Sequence, residues 1–380
     1  MYSTESSGPQ TGVLTPLYIT LLGHFVFQGA ALAMIEATGV QPNGRISPSC
    51  PGLWNDTQQL ALKTLADFIH SQGGLCGIQL SHGGRKASTL PPLAAGRMGM
   101  SYARAAVADN GWPHDVVSPT GGVKLSWDGK GPEDSSGGYH VPKKMSQDEI
   151  RQLVVDYGKS AERAVKAGVD IVEIHAAHGY LIHQFLSPIT NRRNDIYGGS
   201  FENRTRLLLD VIKRVRMVVP NCMPIFVRIS ATDWMEDTQL GKELGSWDEE
   251  STLQLARLLP DLGVDLLDVS SGGNHPGARF NVFDAGERQH LIASRIKGIL
   301  QSEGKHLLIG TVGMITGARQ ARDLVESNST GRPAVDAVSV GRQFLREPAW
   351  VLKVASELGV DVAWPAQVER ARLPSTGPRM

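Results

Sequence analysis

From residue 31 onward, short β-branched runs alternate with amphipathic stretches of helical length, and this alternation constrains the fold more than any other feature of the chain. The pattern predicts strands at 31–38, 75–80, 169–174, 224–229, 264–269, 306–311 and 335–340. It predicts helices at about 16–28, 57–71, 146–167, 201–219, 247–262, 287–302, 317–326 and 348–358, with Ser146 and Glu149 forming a capping box at the third. Strands regularly separated by helices describe a parallel sheet wrapped by helices. Seven strands and eight helices, with a helix first, fit an α/β (β/α)8 TIM barrel whose first β-strand is missing from this sequence. An open doubly wound sheet would carry a glycine-rich loop after its first strand, and Glu36-Ala37-Thr38-Gly39-Val40 is not one. The expected organisation is one domain over 1–380, with a long loop insertion at about 90–144 and a C-terminal tail at about 360–380.

Composition excludes several function classes. The 380 residues carry 38 basic and 38 acidic side chains, so the formal net charge is zero and nothing draws the chain to nucleic acid or to an anionic membrane. Cys50, Cys76 and Cys222 are too scattered for a disulfide framework or zinc knuckle, which favours a reducing, cytoplasmic setting. The first six residues lack the basic and apolar regions of a secretory signal. The apolar stretch 17–35 is interrupted by His24, Gln28 and Gly29 and divides into a helix and a strand rather than a membrane span.

Chemistry concentrates in His175-Ala176-Ala177-His178-Gly179-Tyr180-Leu181, at the carboxyl end of a buried strand, where parallel α/β folds place their active sites. Two neutral imidazoles three residues apart can donate hydrogen bonds to one oxygen, and a phenol can deliver a proton to a developing carbanion. Two plainer readings compete: a metal pair, with Glu173 on the same strand face, or histidines that merely cap a strand.

The loops after the last two predicted strands carry a separate signal. Gly310-Thr311-Val312-Gly313 leads into a helix and Gly341-Arg342 follows the final strand, a combination of close backbone approach and positive charge suited to phosphate. Gln79 and Arg228 point inward by parity, and Arg228 in an apolar strand requires either a barrel carboxylate or an anionic ligand.

Together these segments resemble the old yellow enzyme family of FMN-dependent oxidoreductases, particularly bacterial-type ene reductases and their fungal relatives. The resemblance runs through Leu53-Trp54-Asn55-Asp56, Gly77-Ile78-Gln79-Leu80-Ser81-His82-Gly83-Gly84-Arg85-Lys86, 175–203, Arg228, Gly313 and Gly341-Arg342. It implies FMN as cofactor, with Ala37, Gln79 and Arg228 at the flavin ring and Gly313, Gly341 and Arg342 at its phosphate. NADH or NADPH would be the reductant, using the same site. His175 and His178 would bind the carbonyl or nitro oxygen of an electron-poor alkene, hydride would reach the β-carbon, and Tyr180 would protonate the α-carbon. Tyr2 would correspond to a substrate-pocket tyrosine. Arg370 would be a substrate-binding residue that reaches a neighbouring subunit, implying a homo-oligomer. The resemblance also implies that residues beneath the flavin, including a redox-tuning cysteine of bacterial-type members, precede Met1, so that Met1 is expected to be internal to a longer working protein. The long loop is expected to shape substrate preference, and the fungal character suggests a secondary-metabolite pathway. Two alternatives remain at this stage: a barrel lyase or isomerase acting on a phosphorylated substrate, for which Lys86 is the nearby Schiff-base candidate, and a flavin-poor barrel that binds ligands without turnover.

Overall fold

A computed structural model describes residues 2–279, 282–326 and 333–371, with the backbone alone at 282–285. Seven parallel strands lie side by side in chain order: β1 (Leu32–Gly39), β2 (Leu75–Ser81), β3 (Ile171–Ala176), β4 (Ile225–Ser230), β5 (Leu266–Ser270), β6 (Leu308–Val312) and β7 (Ala337–Ser339). Consecutive order with helical crossovers gives a TIM-barrel-like α/β fold. Among the described residues β1 and β7 do not pair with each other, so each leaves one edge free.

The helices form where the sequence supplies both an apolar face and a cap. In α1 (Asp56–Ser71), Leu62, Leu65, Ala66 and Ile69 recur at helical spacing and are buried. Asn55 accepts from the Gln58 amide, and the Gln58 side chain accepts from Asn55 in return. In α2 (Gln147–Lys166), Ser146 and Glu149 make the same reciprocal cap, and Gly168 at φ +84° turns the chain directly into β3. Each fully buried Leu or Ile on these faces contributes roughly 1.5–3 kcal/mol over its exposed state. The crossover from β3 to β4 runs through a short helix, α3 (Leu181–Leu186), and a longer one, α4 (Phe201–Arg216).

Three expectations require correction. The helix predicted over 16–28 is divided into Pro16–Tyr18, a π-turn at Ile19–Gly23, and His24–Phe27. Gly23 closes the π-turn against α1, where a β-carbon would lie 2.3 Å from the Phe68 ring. The helix predicted over 247–262 is Glu249–Ala256 followed by a 3-10 turn at Pro260–Leu262, because Pro260 cannot continue the α-helical hydrogen-bond ladder. The loop at about 90–144 is more ordered than its sequence suggests. It contains a helix, Pro92–Arg97, and a parallel pairing of Val117–Ser118 with Lys143–Lys144. The Arg104 guanidinium ties it together by donating to the carbonyls of Tyr139, Pro132 and Gly131. Residues 372–380 of the expected tail lie outside the described residues. No described helix is long and apolar enough to cross a membrane.

Candidate active site

All six residues of β3 are buried, and its end places His175 opposite Arg228 of β4. The chain then reverses sharply, with His178 and Gly179 both in the left-handed region at φ 58° and 70°. Glycine is required at 179, since a β-carbon there would lie 2.2 Å from the Gly273 carbonyl oxygen. For His178 that conformation costs on the order of 1–3 kcal/mol. Several hydrogen bonds oppose the cost: His178 N to Ser230 Oγ (2.9 Å), Gly179 N to His183 Nδ1 (2.9 Å), Tyr180 N to Ala177 O (3.1 Å) and Leu181 N to His82 O (2.9 Å).

The turn brings the three expected side chains into contact around His175. Its ring lies 5.1 Å from His178 and 5.0 Å from Tyr180, edge to face in both cases. The Ala177 amide donates to His175 Nδ1 (3.3 Å), which leaves the proton of the neutral ring on Nε2. Ser270 Oγ lies 2.7 Å from His178 Nε2, and with that hydroxyl donating, the His178 proton sits on Nδ1. Each imidazole then has one N–H free for a ligand. Burial and the neighbouring Arg228 guanidinium hold both rings well below the usual imidazole range, so both are neutral at pH 7. Burial raises the Tyr180 phenol above its ordinary value, with Tyr2 adding to the effect, so it stays protonated.

Residues that sequence reasoning placed elsewhere or missed complete the cluster. Lys86 lies in a 3-10 turn, Gly84–Lys86, and donates to the carbonyls of His178 (3.0 Å) and Gly273 (3.1 Å). Its Nζ is 5.2 Å from the Trp127 ring centroid and 5.3 Å from that of Tyr180, linking the long loop to the turn after β3. Burial, reinforced by Arg85, brings its ammonium down to about 7. Its two carbonyl acceptors make it a strut rather than a free amine for a Schiff base. Ser230 and Ser270 were legible only as polar residues closing apolar strands, and the buried His183 and Asp233 gave no local signal.

Deeper in the sheet, Gln79 and Glu173 are paired in register and joined by a short hydrogen bond from the Gln79 amide. Burial and then Asp268 raise the Glu173 carboxyl to about 7, against the pull of Arg228 and Gln79. The Arg228 Nε is 3.4 Å from Asp268 Oδ2 but is buried without a hydrogen-bond acceptor. Arg228 thus has the barrel carboxylate that its burial demands and still holds an unsatisfied donor. Ala37 is half-buried at an irregularity in β1 between Ile35 and Thr38.

The remaining candidates lie further out. Gly313 follows β6 at φ 111°, where a β-carbon would meet Gln289 Nε2 at 2.5 Å. Gly341 precedes the helix Arg342–Arg346 with nothing within 4 Å of its β-carbon position. Arg342 is exposed and has no hydrogen-bond or ion-pair partner among the described residues. Tyr2 is partly exposed at φ 55°, and burial, with Cys50 and Glu36 adding, raises its phenol to about 12. Arg370 lies exposed in a 3-10 turn, Glu369–Ala371, and is not drawn into the histidine cluster.

Comparison with known proteins identifies the family. A family model described as the NADH:flavin oxidoreductase / NADH oxidase family matches residues 24–361. An NADH:flavin oxidoreductase of Gibberella zeae is 41% identical over 360 residues, covering 94% of this chain and 81% of the relative. An NADPH dehydrogenase of Listeria welshimeri is 36% identical over 376 residues, covering 98% and 92%. Among solved structures, the old yellow enzyme homologue from Zymomonas mobilis superimposes with a TM-score of 0.67 at 26% identity, covering 95% of this chain and 88% of that one. The chain therefore belongs to the NADH:flavin oxidoreductase / NADH oxidase family, the old yellow enzyme family of FMN-dependent oxidoreductases that use NADH or NADPH.

Proposed function

We propose that this chain is an ene reductase that uses NADH or NADPH to reduce the activated C=C bond of an α,β-unsaturated carbonyl or nitro compound. One observation carries the reading: two neutral imidazoles, each with one free N–H, stand beside a phenol that stays protonated. His175 and His178 bind the carbonyl or nitro oxygen and draw electron density from the alkene. A neutral donor pair suits this task, since it favours the developing oxyanion without binding an anion in the ground state. Tyr180 gives its proton to the α-carbon and regains one from solvent. The balance is alkene plus NAD(P)H plus a proton to alkane plus NAD(P)⁺.

FMN, when bound, would supply the hydride-transfer chemistry between the nicotinamide and the β-carbon of the alkene. The residues fit such a group. The unsatisfied Arg228 Nε on β4 calls for an acceptor, and Ala37 and Gln79 lie on the adjacent strands β1 and β2 of the same sheet. Gly313, Gly341 and Arg342, which has no partner among the described residues, would hold the phosphate. The finer fold reading, a (β/α)8 barrel, is supported by the two free edges, which one further strand would bridge.

Tyr2 and the aromatic group Tyr102, Trp127 and Tyr139 line the approach in this reading, the last three with ring centroids 4.9–5.8 Å apart. They favour a flat, conjugated substrate. Arg370 would contribute from a neighbouring copy in a cytoplasmic homo-oligomer, and the reduction would be a tailoring step in fungal secondary metabolism.

The test is anaerobic reduction of the FMN-loaded protein by NADPH or NADH, followed by mixing with a panel of enones and nitroalkenes. Bleaching by the nicotinamide and reoxidation by an alkene, with saturated product formed, are expected. Reoxidation by dioxygen or quinones alone, with no alkene consumed, would refute the reading.

A further inference from the structure

Beneath the catalytic turn lies a wholly buried polar chain that the reaction as proposed does not use. The Gly179 N–H, at the tightest point of the turn, donates to Nδ1 of His183 on α3 at 2.9 Å. A ring nitrogen accepts only when it carries no proton, so His183 is the neutral tautomer with its proton on Nε2. His183 Nε2 is 2.9 Å from Asp233 Oδ1, an ion-pair contact not aligned as a hydrogen bond, and neither atom has a hydrogen-bond partner among the described residues. Both side chains have no solvent exposure.

Asp233 follows β4, and its other carboxylate oxygen accepts from Ser187 Oγ and from the Trp247 amide (3.1 Å). Burial alone would raise this carboxyl. The His183, Ser187 and Trp247 donors together hold it below the usual range, so it remains a carboxylate. A buried ionised group of this kind is a poor device for stability alone, because an apolar replacement of similar volume avoids its desolvation. Through His183 it reaches the amide between His178 and Tyr180.

We propose that His183 and Asp233 are positioning residues: Asp233 fixes the His183 tautomer, and the His183 lone pair fixes the Gly179 amide, setting the spacing of His178 and Tyr180 about His175. The inference rests on the alkene-activation reading given above. Asp233→Asn removes the tautomer control with little change in volume. An amide that turns its NH2 toward Nε2 favours the tautomer with the proton on Nδ1, which then meets the Gly179 N–H donor to donor. The turn must shift to relieve that conflict.

The experiment compares the FMN-loaded wild type with Asp233→Asn. 4-Hydroxybenzaldehyde, whose phenol oxygen can dock on the two imidazoles, is titrated by the long-wavelength absorbance of a phenolate stacked on oxidised flavin. Reoxidation of the reduced flavin by ferricyanide serves as a control that needs neither oxygen anchor. The substitution should weaken phenol binding by about tenfold or more, equivalent to about 1.4 kcal/mol, and leave the FMN content and ferricyanide rate unchanged. Equal phenol affinity in the two proteins would overturn the proposal. Imidazole 15N shifts in the wild type provide a measurement that does not depend on the variant folding. A bare Nδ1 and protonated Nε2 at His183 support the proposal, whereas the opposite tautomer or an imidazolium overturns it. A wild type that neither binds the phenol nor reduces enones defeats the alkene-activation reading instead, and the tautomer result still decides the role of Asp233.

Discussion

The carboxyl ends of β3 and β7 are finished in opposite ways. At β3 the groups that support the turn are tied to one another: Ser230 and Ser270 to His178, His183 to Gly179, and Lys86 to two carbonyls. At β7 the strand is three residues long, one edge is free among the described residues, and after Val340 come an unobstructed glycine and an exposed arginine with no partner among the described residues. Nearby packing includes a small satellite cluster around Ile315, Ala321 and Trp350, with Val338 packed against both it and the main core. The first end holds side chains against strain, as the proposed binding and protonation of a substrate require. The second offers a backbone turn and a charge, a design suited to a ligand that brings its own rigidity. Damage to the first should appear in rates and in proton-linked stability, and damage to the second in cofactor affinity.

The largest effect expected from this contrast is on acid stability. His82, His175 and His178 are pushed below the ordinary imidazole value, His82 to about 3 by burial. The native state therefore binds fewer protons than the unfolded chain below about pH 6.5, and stability falls as pH falls through that window toward the native values. Glu173, raised to about 7, has the opposite sign: its contribution is full at low pH and is lost as pH rises through 7. Three histidines against one carboxyl leave a net loss on the order of 3 kcal/mol between pH 7 and 5. Urea unfolding across that range measures it, and a flat profile would show that the catalytic end does not carry the proposed neutral histidines.

Tyr180→Phe separates chemistry from cofactor binding. Loss of a positioned general acid should slow alkene-driven reoxidation by about 10²–10³-fold, while flavin reduction by NADPH and FMN content stay near wild type. Stopped-flow measurement of the two half-reactions reads both, and equal slowing of the two would mean that Tyr180 supports the fold rather than the proton transfer.

Arg342→Ala tests the other end. Loss of charge-assisted hydrogen bonds of roughly 1.5–3 kcal/mol should weaken FMN binding by about 10–100-fold, with little change in unfolding of the flavin-free protein, since Arg342 has no protein partner among the described residues. Flavin fluorescence titration gives the affinity, and an unchanged value would remove Arg342 from the phosphate site.

The two ends also differ in how far their sequences could be read. The strand and helix alternation appears in the structure nearly element for element, because burial and periodicity are local properties of a sequence. His175, His178 and Tyr180 were legible for the same reason, lying within six residues at one strand end. Their supports were not: Lys86, Asp233 and Ser270 come from other strand ends, and only the parallel register assembles them. The order within the long loop was hidden as well. It depends on one guanidinium, Arg104, reaching carbonyls 27–35 residues away, and carbonyls leave no mark in a sequence. Breaks in the helices at Gly23 and Pro260 show the converse, where one residue overrules a favourable pattern.

The smallest difference sharpens the comparison most, because it uses the same substitution at both ends. Gly179→Ala places a methyl group 2.2 Å from the Gly273 oxygen at a positive φ, and should destabilise the protein by about 1–3 kcal/mol. Gly341→Ala meets no atom within 4 Å at φ −110°, and should change stability by less than about 0.5 kcal/mol. Denaturant unfolding of the two variants without flavin compares the protein terms alone. Repeating it with saturating FMN then asks whether the methyl group at 341 obstructs the phosphate. A flavin-dependent stabilisation that shrinks only for Gly341→Ala assigns that glycine to backbone approach by the ligand, whereas equal stabilisation in both variants means that the space beside Gly341 is simply solvent.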